Sequence, residues 1–180
     1  MDLAVHPIPT KVAAQLVIDF HYLHRRPPMS FAFGAVQPDG EIVGVVTLGT
    51  PPSRHAQMSV SPSDPDLALE LNRMWVHDDQ PRNTASWMVS KVLRLLPPRI
   101  VFSYADSAAG HDGTVYRAMS WNYAGWTDMD RKTARLDYIP SQGGHSRNAS
   151  RTGVAEKVRR KPKAKYWTTT GSRRERARLR

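Results

Sequence analysis

The stretch from Arg99 to Trp121, "RIVFSYADSAAGHDGTVYRAMSW", limits the possible folds of this chain more than any other. It opens with an apolar run at 100–105 that resembles a buried strand, reaches Asp106, crosses small residues and continues as a helix from about Thr114 to Trp121. The order strand, loop, helix is typical of α/β proteins, which present reactive side chains at the ends of their strands. Asp106 is therefore a candidate for the floor of an active site, and the competing interpretation is an ordinary turn residue.

The rest of the sequence predicts the other elements of such a fold. Thr10 can cap a helix that runs through about Arg25, and its predicted apolar stripe is Val12, Leu16, Phe20 and Leu23. The turn residues Pro38-Asp39-Gly40 predict an antiparallel hairpin, and "LALELNRMWV" predicts a strand. A second helix, "TASWMVSKVLRLL", is capped by Asn83 or Thr84, and its predicted inner face is Met88, Val92, Leu95 and Leu96. With short strands at "NYAGWT" and "ARLDYIP", these elements indicate an α/β fold with a mixed central sheet flanked by helices.

Charge divides the chain into two parts. Residues 141–180 carry 13 of the 26 Lys and Arg residues but only two of the 16 Asp and Glu residues. We therefore expect a catalytic domain at 1–140 and a basic C-terminal segment at 141–180, made of a linker to about residue 163, an edge strand "AKYWTTTG" and an arginine-rich tail. Such a segment is typical of a contact with nucleic-acid phosphates, and the alternative is a solvated tail. The predicted DNA contacts in it are Arg159, Arg160, Lys161, Lys163, Lys165, Arg173 and Arg174.

Several classes of protein are excluded by composition. The chain has no cysteine, so disulfides, thiolate metal sites and cysteine nucleophiles are absent. Any metal would need His, Asp, Glu or Tyr ligands. No apolar run approaches the ~20 residues of a membrane span, and "MDLAVHPIPT" has no secretory pattern, so we expect a soluble, intracellular protein without membrane contact.

The order of elements is similar to that of the GNAT acyltransferase fold, in which a turn before a helix binds the pyrophosphate of an acyl-CoA. The corresponding residues here are Gln80, Arg82, Asn83, Thr84 and Ala85, directly after the strand "LELNRMWV". Asn83 stands where the family has its first glycine, and asparagine is the residue that best tolerates a positive φ after glycine. The free N–H groups of a helix N-terminus suit an anion, and a plain helix cap is the alternative.

A closer resemblance spans roughly residues 20 to 180. The segments "FHYLHRRP", "GVVTLG", "LELNRMWV", "VFSYADSAAGHDGTVYRAMSWNYAGWT", "KAKYW" and "RRERARLR" resemble the Mom-like DNA-modification proteins of bacteriophages. The resemblance implies a GNAT-like enzyme that transfers a carbamoylmethyl group to the N6 amine of adenine in double-stranded DNA. It implies protection of phage DNA from restriction in the cytoplasm of the infected host. It also implies a donor, either an acyl-CoA or another glycine-derived molecule, and a metal, Fe(II).

The resemblance assigns catalysis to His21, Tyr22, Asp106 and Tyr116, and adds Arg73 to the DNA contacts. Adenine N6 is a poor nucleophile, so a carboxylate or imidazole beside it is required. Asp106 can accept from the N6–H, His21 or His24 can be the general base, and Tyr116 can be the general acid. The same residue types suit iron, and the predicted metal set is His21, His24 and Asp106, with His111 as a substitute for one histidine.

A base in duplex DNA must leave the stack before it can react. Trp121, Tyr123 and Trp126 are candidates to stack on it. Two other functions remain open: a GNAT enzyme that acylates a protein or small-molecule amine, and a non-catalytic DNA-binding protein of the same fold. An adenine methyltransferase is disfavoured, because no strand is followed by a Gly-x-Gly loop and "TPPS" lacks the usual catalytic tetrapeptide pattern.

Overall fold

A computed structural model describes residues 2–129, 132–140 and 154–179. Its strands are β1 (Ala4–Pro7), β2 (Phe31–Val36), β3 (Ile42–Gly49), β4 (Ala68–Val76), β5 (Ile100–Asp106), β6 (Asn122–Trp126), β7 (Leu136–Pro140), β8 (Val154–Arg159) and β9 (Lys163–Thr169). Seven of them form one sheet in the order β1-β2-β3-β4-β5-β9-β6, while β7 and β8 pair as an antiparallel ribbon. The β4–β5 pair is parallel and the other pairs are antiparallel, which confirms the predicted mixed sheet.

The helices in the described residues are α1 (Thr10–Phe20), α2 (Arg54–Met58), α3 (Thr84–Leu95), α4 (Thr114–Ala118) and α5 (Arg173–Arg178). Against one face of the sheet, α3 packs three fully buried side chains, Met88, Val89 and Val92. Against the other face, α1 packs Ala13 and Val17 beside Val45 of β3. Strand β3 is buried on both sides for this reason. None of these helices is long and apolar enough to cross a membrane.

Helix α1 differs from its prediction in length and in its buried face. It ends at Phe20 rather than near Arg25, because His21 takes an extended backbone and the chain turns through His24 at a φ of 41°. The buried face is Ala13, Ala14 and Val17, whereas the predicted stripe residues Val12, Phe20 and Leu23 are exposed. Small alanines let a helix lie close to a sheet, so the face with the smaller side chains packs inward.

Four other predictions about elements are wrong. Strand β9 lies between β5 and β6, so "AKYWTTTG" supplies an interior strand and not an edge strand. Strand β8 occupies part of the predicted linker, and α4 ends at Ala118 rather than at Trp121. On α3, Leu95 is exposed although Met88, Val92 and Leu96 are buried as predicted. The sequence patterns did not predict strand β1 or helix α2.

The predicted hairpin is confirmed. Strands β2 and β3 pair antiparallel, and the turn closes with the Gly40 amide donating to the Gln37 carbonyl at 3.0 Å. Gly40 has a φ of 92°, a conformation that glycine adopts without strain.

The feature that creates a site is the separation of β4 from β5. These parallel neighbours pair only over Ala68–Glu70 and Ile100–Phe102. Beyond those positions β4 follows β3 as far as Val76, and β5 follows β9 as far as Asp106. The two strands therefore diverge toward their carboxyl ends and leave an opening in the sheet.

Candidate active site

The opening between β4 and β5 holds a cavity of about 120 Å³. Its walls come from the segment after α1, from β4, from β5 with the elements that follow it, and from the first residue of β9. The polar side chains in its lining are His21, Tyr22, Glu70, Asn72, Arg73, Ser103, Tyr104, Asp106, His111, Tyr116 and Lys163. The four residues predicted to be catalytic, His21, Tyr22, Asp106 and Tyr116, all lie in this one cavity.

Asp106 ends β5 and also forms a wall of the cavity. Its Oδ1 accepts a hydrogen bond from the Ala108 amide at 3.1 Å, which caps a short 3₁₀ turn. Its Oδ2 lies 2.5 Å from Lys163 Nζ. The residue is only 7% exposed, so the lysine compensates a carboxylate that water barely reaches. Asp106 is thus a turn residue and an oriented carboxylate at once.

Tyr22 brings a phenol to this carboxylate. Its Oη donates to Asp106 Oδ2 across 3.5 Å. The ring stacks on His21 with centroids 4.4 Å apart and meets His111 edge-on at 5.0 Å. Burial, and then the neighbouring Asp106, raise the pKa of Tyr22 to about 12. The phenol therefore keeps its proton at neutral pH.

His21 lies at the end of α1 with its ring buried. Its Nδ1 accepts a hydrogen bond from the Leu23 amide at 3.1 Å. Burial, and then the charge of Arg73, lower the pKa of His21 to about 4, so the ring is neutral at pH 7. A neutral imidazole that accepts at Nδ1 carries its proton on Nε2. His21 consequently offers the cavity an N–H donor.

Tyr116 and Ser103 form a hydrogen-bonded chain across the opening. The Ser103 hydroxyl donates to the Leu71 carbonyl on β4 at 2.7 Å, and its oxygen lies 2.7 Å from Tyr116 Oη. A serine hydroxyl has one proton, so the Tyr116 phenol donates to Ser103. Burial raises the pKa of Tyr116, and its ring stacks on Tyr166 at 5.2 Å. The chain joins α4, β5 and β4 at the cavity wall.

The approach of α4 to β9 depends on Gly113. A Cβ at this position would lie 2.5 Å from the Tyr166 ring, and the residue has a φ of 81°. Glycine is therefore required on both steric and conformational grounds. Because Gly113 precedes α4, it allows Tyr116 to reach Tyr166 and the cavity.

Glu70 is a cavity residue that the sequence prediction missed. It is half-buried on β4, at the last position that pairs with β5 before the strands separate. Burial raises the pKa of Glu70, although Arg73 and two lysines oppose the shift. A carboxyl group with a raised pKa in a cavity is a candidate general base. The only available signal was one acidic residue in the mostly apolar run "LALELNRMWV".

Arg73 lies in the same cavity and is 8% exposed. One terminal nitrogen donates to the Asn72 carbonyl at 2.5 Å, and Nε is buried with no hydrogen-bond partner among the residues that the structure describes. Burial lowers the pKa of Arg73. The guanidinium that was predicted to contact DNA is therefore a lining group of the cavity, next to Glu70.

The predicted metal ligands do not form a metal site. His24 Nδ1 lies 2.8 Å from the Ile18 carbonyl, and His21 Nδ1 is occupied by the Leu23 amide. Within the described part of the chain, no three His, Asp or Glu side chains are grouped so that they could hold a metal ion. The set His21, His24 and Asp106, with or without His111, thus does not fit Fe(II).

Besides Arg73, the basic residues predicted to bind DNA fall into two groups. Three make contacts within the chain: Lys163 pairs with Asp106, Arg160 makes a bidentate contact with Asp137 at the β7–β8 ribbon, and Lys165 Nζ bonds Ser59 Oγ at 2.6 Å above the Phe102 ring. Four are exposed, namely Arg159, Lys161, Arg173 and Arg174. The three aromatic candidates also divide: Trp121 is buried against Tyr116, whereas Tyr123 and Trp126 are exposed.

The predicted pyrophosphate loop at 80–85 has the expected backbone. Asn83 precedes α3 with a φ of 72°, the conformation that the family's glycine would supply. Its side chain makes no cap hydrogen bond to the helix. The Thr84 amide and hydroxyl both donate to the Pro81 carbonyl, at 3.1 and 2.7 Å. The loop therefore ends in a tight turn directly before α3.

A mixed sheet that opens between two parallel strands, with a left-handed residue opening the connecting helix, defines the GNAT fold. Solved structures agree. The chain is similar to a GNAT superfamily phosphinothricin acetyltransferase of Sinorhizobium meliloti in complex with acetyl-CoA, with a TM-score of 0.54, 9% identity, and 95% of this chain and 90% of that chain covered. It is equally similar to NAA60 of Arabidopsis thaliana in complex with acetyl-CoA, with a TM-score of 0.54, 13% identity, and 93% and 98% covered.

Sequence comparison identifies the family. Residues 2–180 match the model of the Mom protein family, and the chain belongs to that family. It is 35% identical over 130 residues to the protein "Methylcarbamoylase mom" of Escherichia phage Mu, which covers 69% of this chain and 54% of that relative. The chain thus spans about half the length of the curated relative.

Proposed function

We propose that this protein is a DNA-modifying transferase that places a small glycine-derived, carbamoylmethyl group on the N6 amine of adenine. The observation that carries the proposal is the cavity between β4 and β5, where Asp106, Tyr22, Glu70 and Arg73 surround one space in a Mom family chain. The name of the phage Mu relative, a methylcarbamoylase, supports the class of group transferred.

Asp106 is assigned to the target base. The adenine amine has two N–H donors, and a carboxylate oxygen beside it accepts one of them and orients the nitrogen. Lys163 holds this carboxylate in place, and the Tyr22 phenol, which donates to the same Oδ2, helps to orient it.

Glu70 is assigned to the proton that the amine must lose. When the new N–C bond forms, the nitrogen becomes cationic and releases one proton to a base, while the donor's bond to its leaving group breaks. A carboxylate whose pKa is raised by burial is a stronger base than an exposed one, and it is matched better to this task at neutral pH. His21, with its proton on Nε2 and a pKa near 4, is unsuited to that role.

His21 and Arg73 are assigned to the donor molecule. Both present N–H groups in the cavity, and the Arg73 Nε–H has no partner among the described residues. Donors fixed in a partly dry site stabilise a carbonyl oxygen or a leaving group as negative charge develops on it. Tyr116 already donates to Ser103, so a role as general acid would require this internal hydrogen bond to break.

An acyl-CoA or another glycine-derived molecule is the proposed donor. The solved structures with acetyl-CoA support a CoA-type donor. Attack of N6 on a thioester carbonyl would leave an amide, so a carbamoylmethyl product requires N6 to attack the methylene carbon of the donor while the leaving group departs from that carbon. Gln80, Arg82, Asn83, Thr84 and Ala85 would hold its pyrophosphate at the start of α3. No step is assigned to Fe(II), because the side chains present do not form its ligand set. The reaction would take place on double-stranded DNA in the infected bacterial cytoplasm and would protect phage DNA from restriction.

Plasmid DNA from bacteria that express the chain tests the proposal. The DNA is digested to nucleosides, and the masses of the deoxyadenosines are measured by mass spectrometry. We expect a fraction of deoxyadenosine heavier by one carbamoylmethyl group, lost with Asp106→Asn and retained with Asp66→Asn, whose side chain is 85% exposed. An unmodified adenosine pool would refute the function. Modification that survives Asp106→Asn would refute the site, and acylation of free amines with unmodified DNA would favour an ordinary GNAT enzyme.

A further inference from the structure

The turn after β6 lies against the residue that holds Asp106. The Thr127 amide donates to the Lys163 carbonyl at 2.9 Å, and the Lys163 amide donates to Thr127 Oγ1 at 2.9 Å. The side chain of the same Lys163 pairs with Asp106. One backbone hydrogen bond and one bond to the Thr127 hydroxyl therefore fix the Trp126–Met129 turn beside the cavity wall.

Two large apolar side chains in this turn are exposed. Trp126 is 45% exposed and Met129 is 64% exposed. Met129 also lines a second cavity, of about 470 Å³, between the turn and the β7–β8 ribbon. The Pro162 carbonyl, in the wall of that cavity, accepts from Ser107 Oγ at 2.6 Å. Because Ser107 follows Asp106, the second cavity adjoins the wall of the first.

The ribbon side of the second cavity is basic. Some of its charge is neutralised within the chain, since Arg135 lies 3.4 Å from Asp128 and Arg160 pairs with Asp137. Arg159 and Lys161 are exposed and make no ion pair with any residue that the structure describes. Positive charge that the protein leaves unpaired is available to phosphates.

We infer that Trp126, Met129, Arg159 and Lys161 form the surface on which duplex DNA docks. Arg159 and Lys161 contact backbone phosphates, and Trp126 and Met129 press against the base stack where the target adenine leaves it. This inference rests on the proposed function. It is supported by complementary charge, by two uncovered apolar side chains in one turn, and by the hydrogen bonds of that turn to Lys163, the partner of Asp106.

The chemistry of an extruded base accounts for both halves of this surface. Taking a base out of the stack costs free energy, and apolar side chains that enter the vacated step recover part of that cost. Phosphate contacts on either side hold the duplex while the base enters the cavity. A two-stranded ribbon such as β7–β8 also has the dimensions of the major groove.

The exposed arginines of helix α5 lie too far from the cavity to contact the phosphates beside the extruded base. Helix α5 follows the end of β9 that pairs with Ile100, whereas Lys163 begins β9 opposite Asp106. A strand of this length separates the two ends by about 20 Å. Arg173 and Arg174 can therefore reach only flanking phosphates, and not those beside the extruded base.

Comparison of duplex and single-stranded substrates tests the role of the apolar side chains Trp126 and Met129. With Trp126→Ala and Met129→Ala combined, we expect transfer to a duplex oligonucleotide to fall about tenfold while transfer to the single strand stays within about twofold, because a single strand has no stack to refill. Met58→Ala, an exposed methionine on α2, is the matched control. Unchanged duplex transfer, or an equal loss on both substrates, would overturn the inference.

Measurements of DNA binding test the role of Arg159 and Lys161 and do not require catalysis. Fluorescence anisotropy of the full chain with a labelled duplex is measured across salt concentrations. Arg159→Ser with Lys161→Ser should reduce the log–log salt slope by about 2, since each phosphate contact contributes roughly 0.9. Lys91→Ser with Arg94→Ser, an exposed basic pair on α3, should leave the slope unchanged. An equal effect of both pairs, or a larger effect of Arg173→Ser with Arg174→Ser, would contradict the inference.

The two assays separate failure of this inference from failure of the proposed function. If the wild-type chain modifies neither substrate, the proposed function fails, and the anisotropy series alone decides whether the surface binds duplex DNA. If modification is observed but the ribbon variants bind normally, the function stands and the docking surface is wrong.

Discussion

Asp106 and Lys163 are 57 positions apart in the chain, yet Oδ2 and Nζ lie 2.5 Å apart. They face each other at one end of the β5–β9 pair. A basic side chain from the C-terminal segment is therefore part of the cavity wall. Deleting this segment would remove an interior strand, so its role in DNA binding must be tested by substitution of single charges.

Replacing Lys163 by methionine should destabilise the protein by about 1–3 kcal/mol, because Asp106 then remains as a buried carboxylate without its cation. Urea unfolding at neutral pH measures the change. Adding Asp106→Asn should restore most of the stability without restoring transfer. If the double variant is as unstable as the sum of the two single variants, the pair is not coupled.

Glu70→Gln should lower the rate of transfer by about 10²–10⁴-fold, the usual contribution of a general base. The raised pKa of Glu70 also predicts the pH dependence. The carboxyl group is protonated at low pH, so wild-type activity should rise with pH through a value above the ordinary glutamate range. Glu70→Gln should remove that rise, and an unchanged profile would contradict the assignment.

The same substitution should not reduce stability at neutral pH. A carboxyl group with a raised pKa stabilises the fold below its unfolded pKa, and that contribution is lost as the pH rises through the folded pKa. As the carboxylate of Glu70 forms, the wild-type protein loses this contribution, whereas glutamine carries no charge. Urea midpoints of wild type and Glu70→Gln at pH 7 separate a catalytic role from a structural one.

His21 should make stability fall between about pH 6.5 and pH 4. Its folded pKa is depressed, so in this range the unfolded chain binds a proton that the folded chain refuses. His21→Asn, whose side-chain oxygen can still accept from the Leu23 amide, should remove this part of the pH dependence. Unfolding free energies of both proteins at pH 7 and pH 5 provide the test. If wild type and His21→Asn lose the same unfolding free energy between pH 7 and pH 5, His21 is not responsible for the pH dependence.

Asn83 should be replaceable by glycine but not by alanine. At a φ of 72°, alanine is strained by about 1–2 kcal/mol and glycine is not. Because the Asn83 side chain makes no cap bond, its loss alone should matter little. Titration with acetyl-CoA should show weaker binding for Asn83→Ala than for Asn83→Gly. Equal affinities would mean that this loop does not hold the donor.

Local patterns in the sequence determined the identity and order of most elements. The hairpin at Gly40, the strand into Asp106, the left-handed position at Asn83 and the buried Met88 all follow from turn chemistry, backbone preference or periodicity over a few residues. The segments that resemble the Mom family also assign His21, Tyr22, Asp106 and Tyr116 to one catalytic site. These features depend on neighbours in the chain, so the chain itself reveals them.

Only the tertiary structure decided which side chains face each other. The insertion of β9 between β5 and β6 placed Lys163 on Asp106 and Lys165 in the interior, although both lie in a basic run that predicts solvent exposure. The divergence of β4 from β5 made Glu70 and Arg73 cavity residues. Small alanines, rather than the larger apolar stripe, packed α1 on the sheet. Such outcomes depend on pairing between strands far apart in sequence, which a local pattern does not encode.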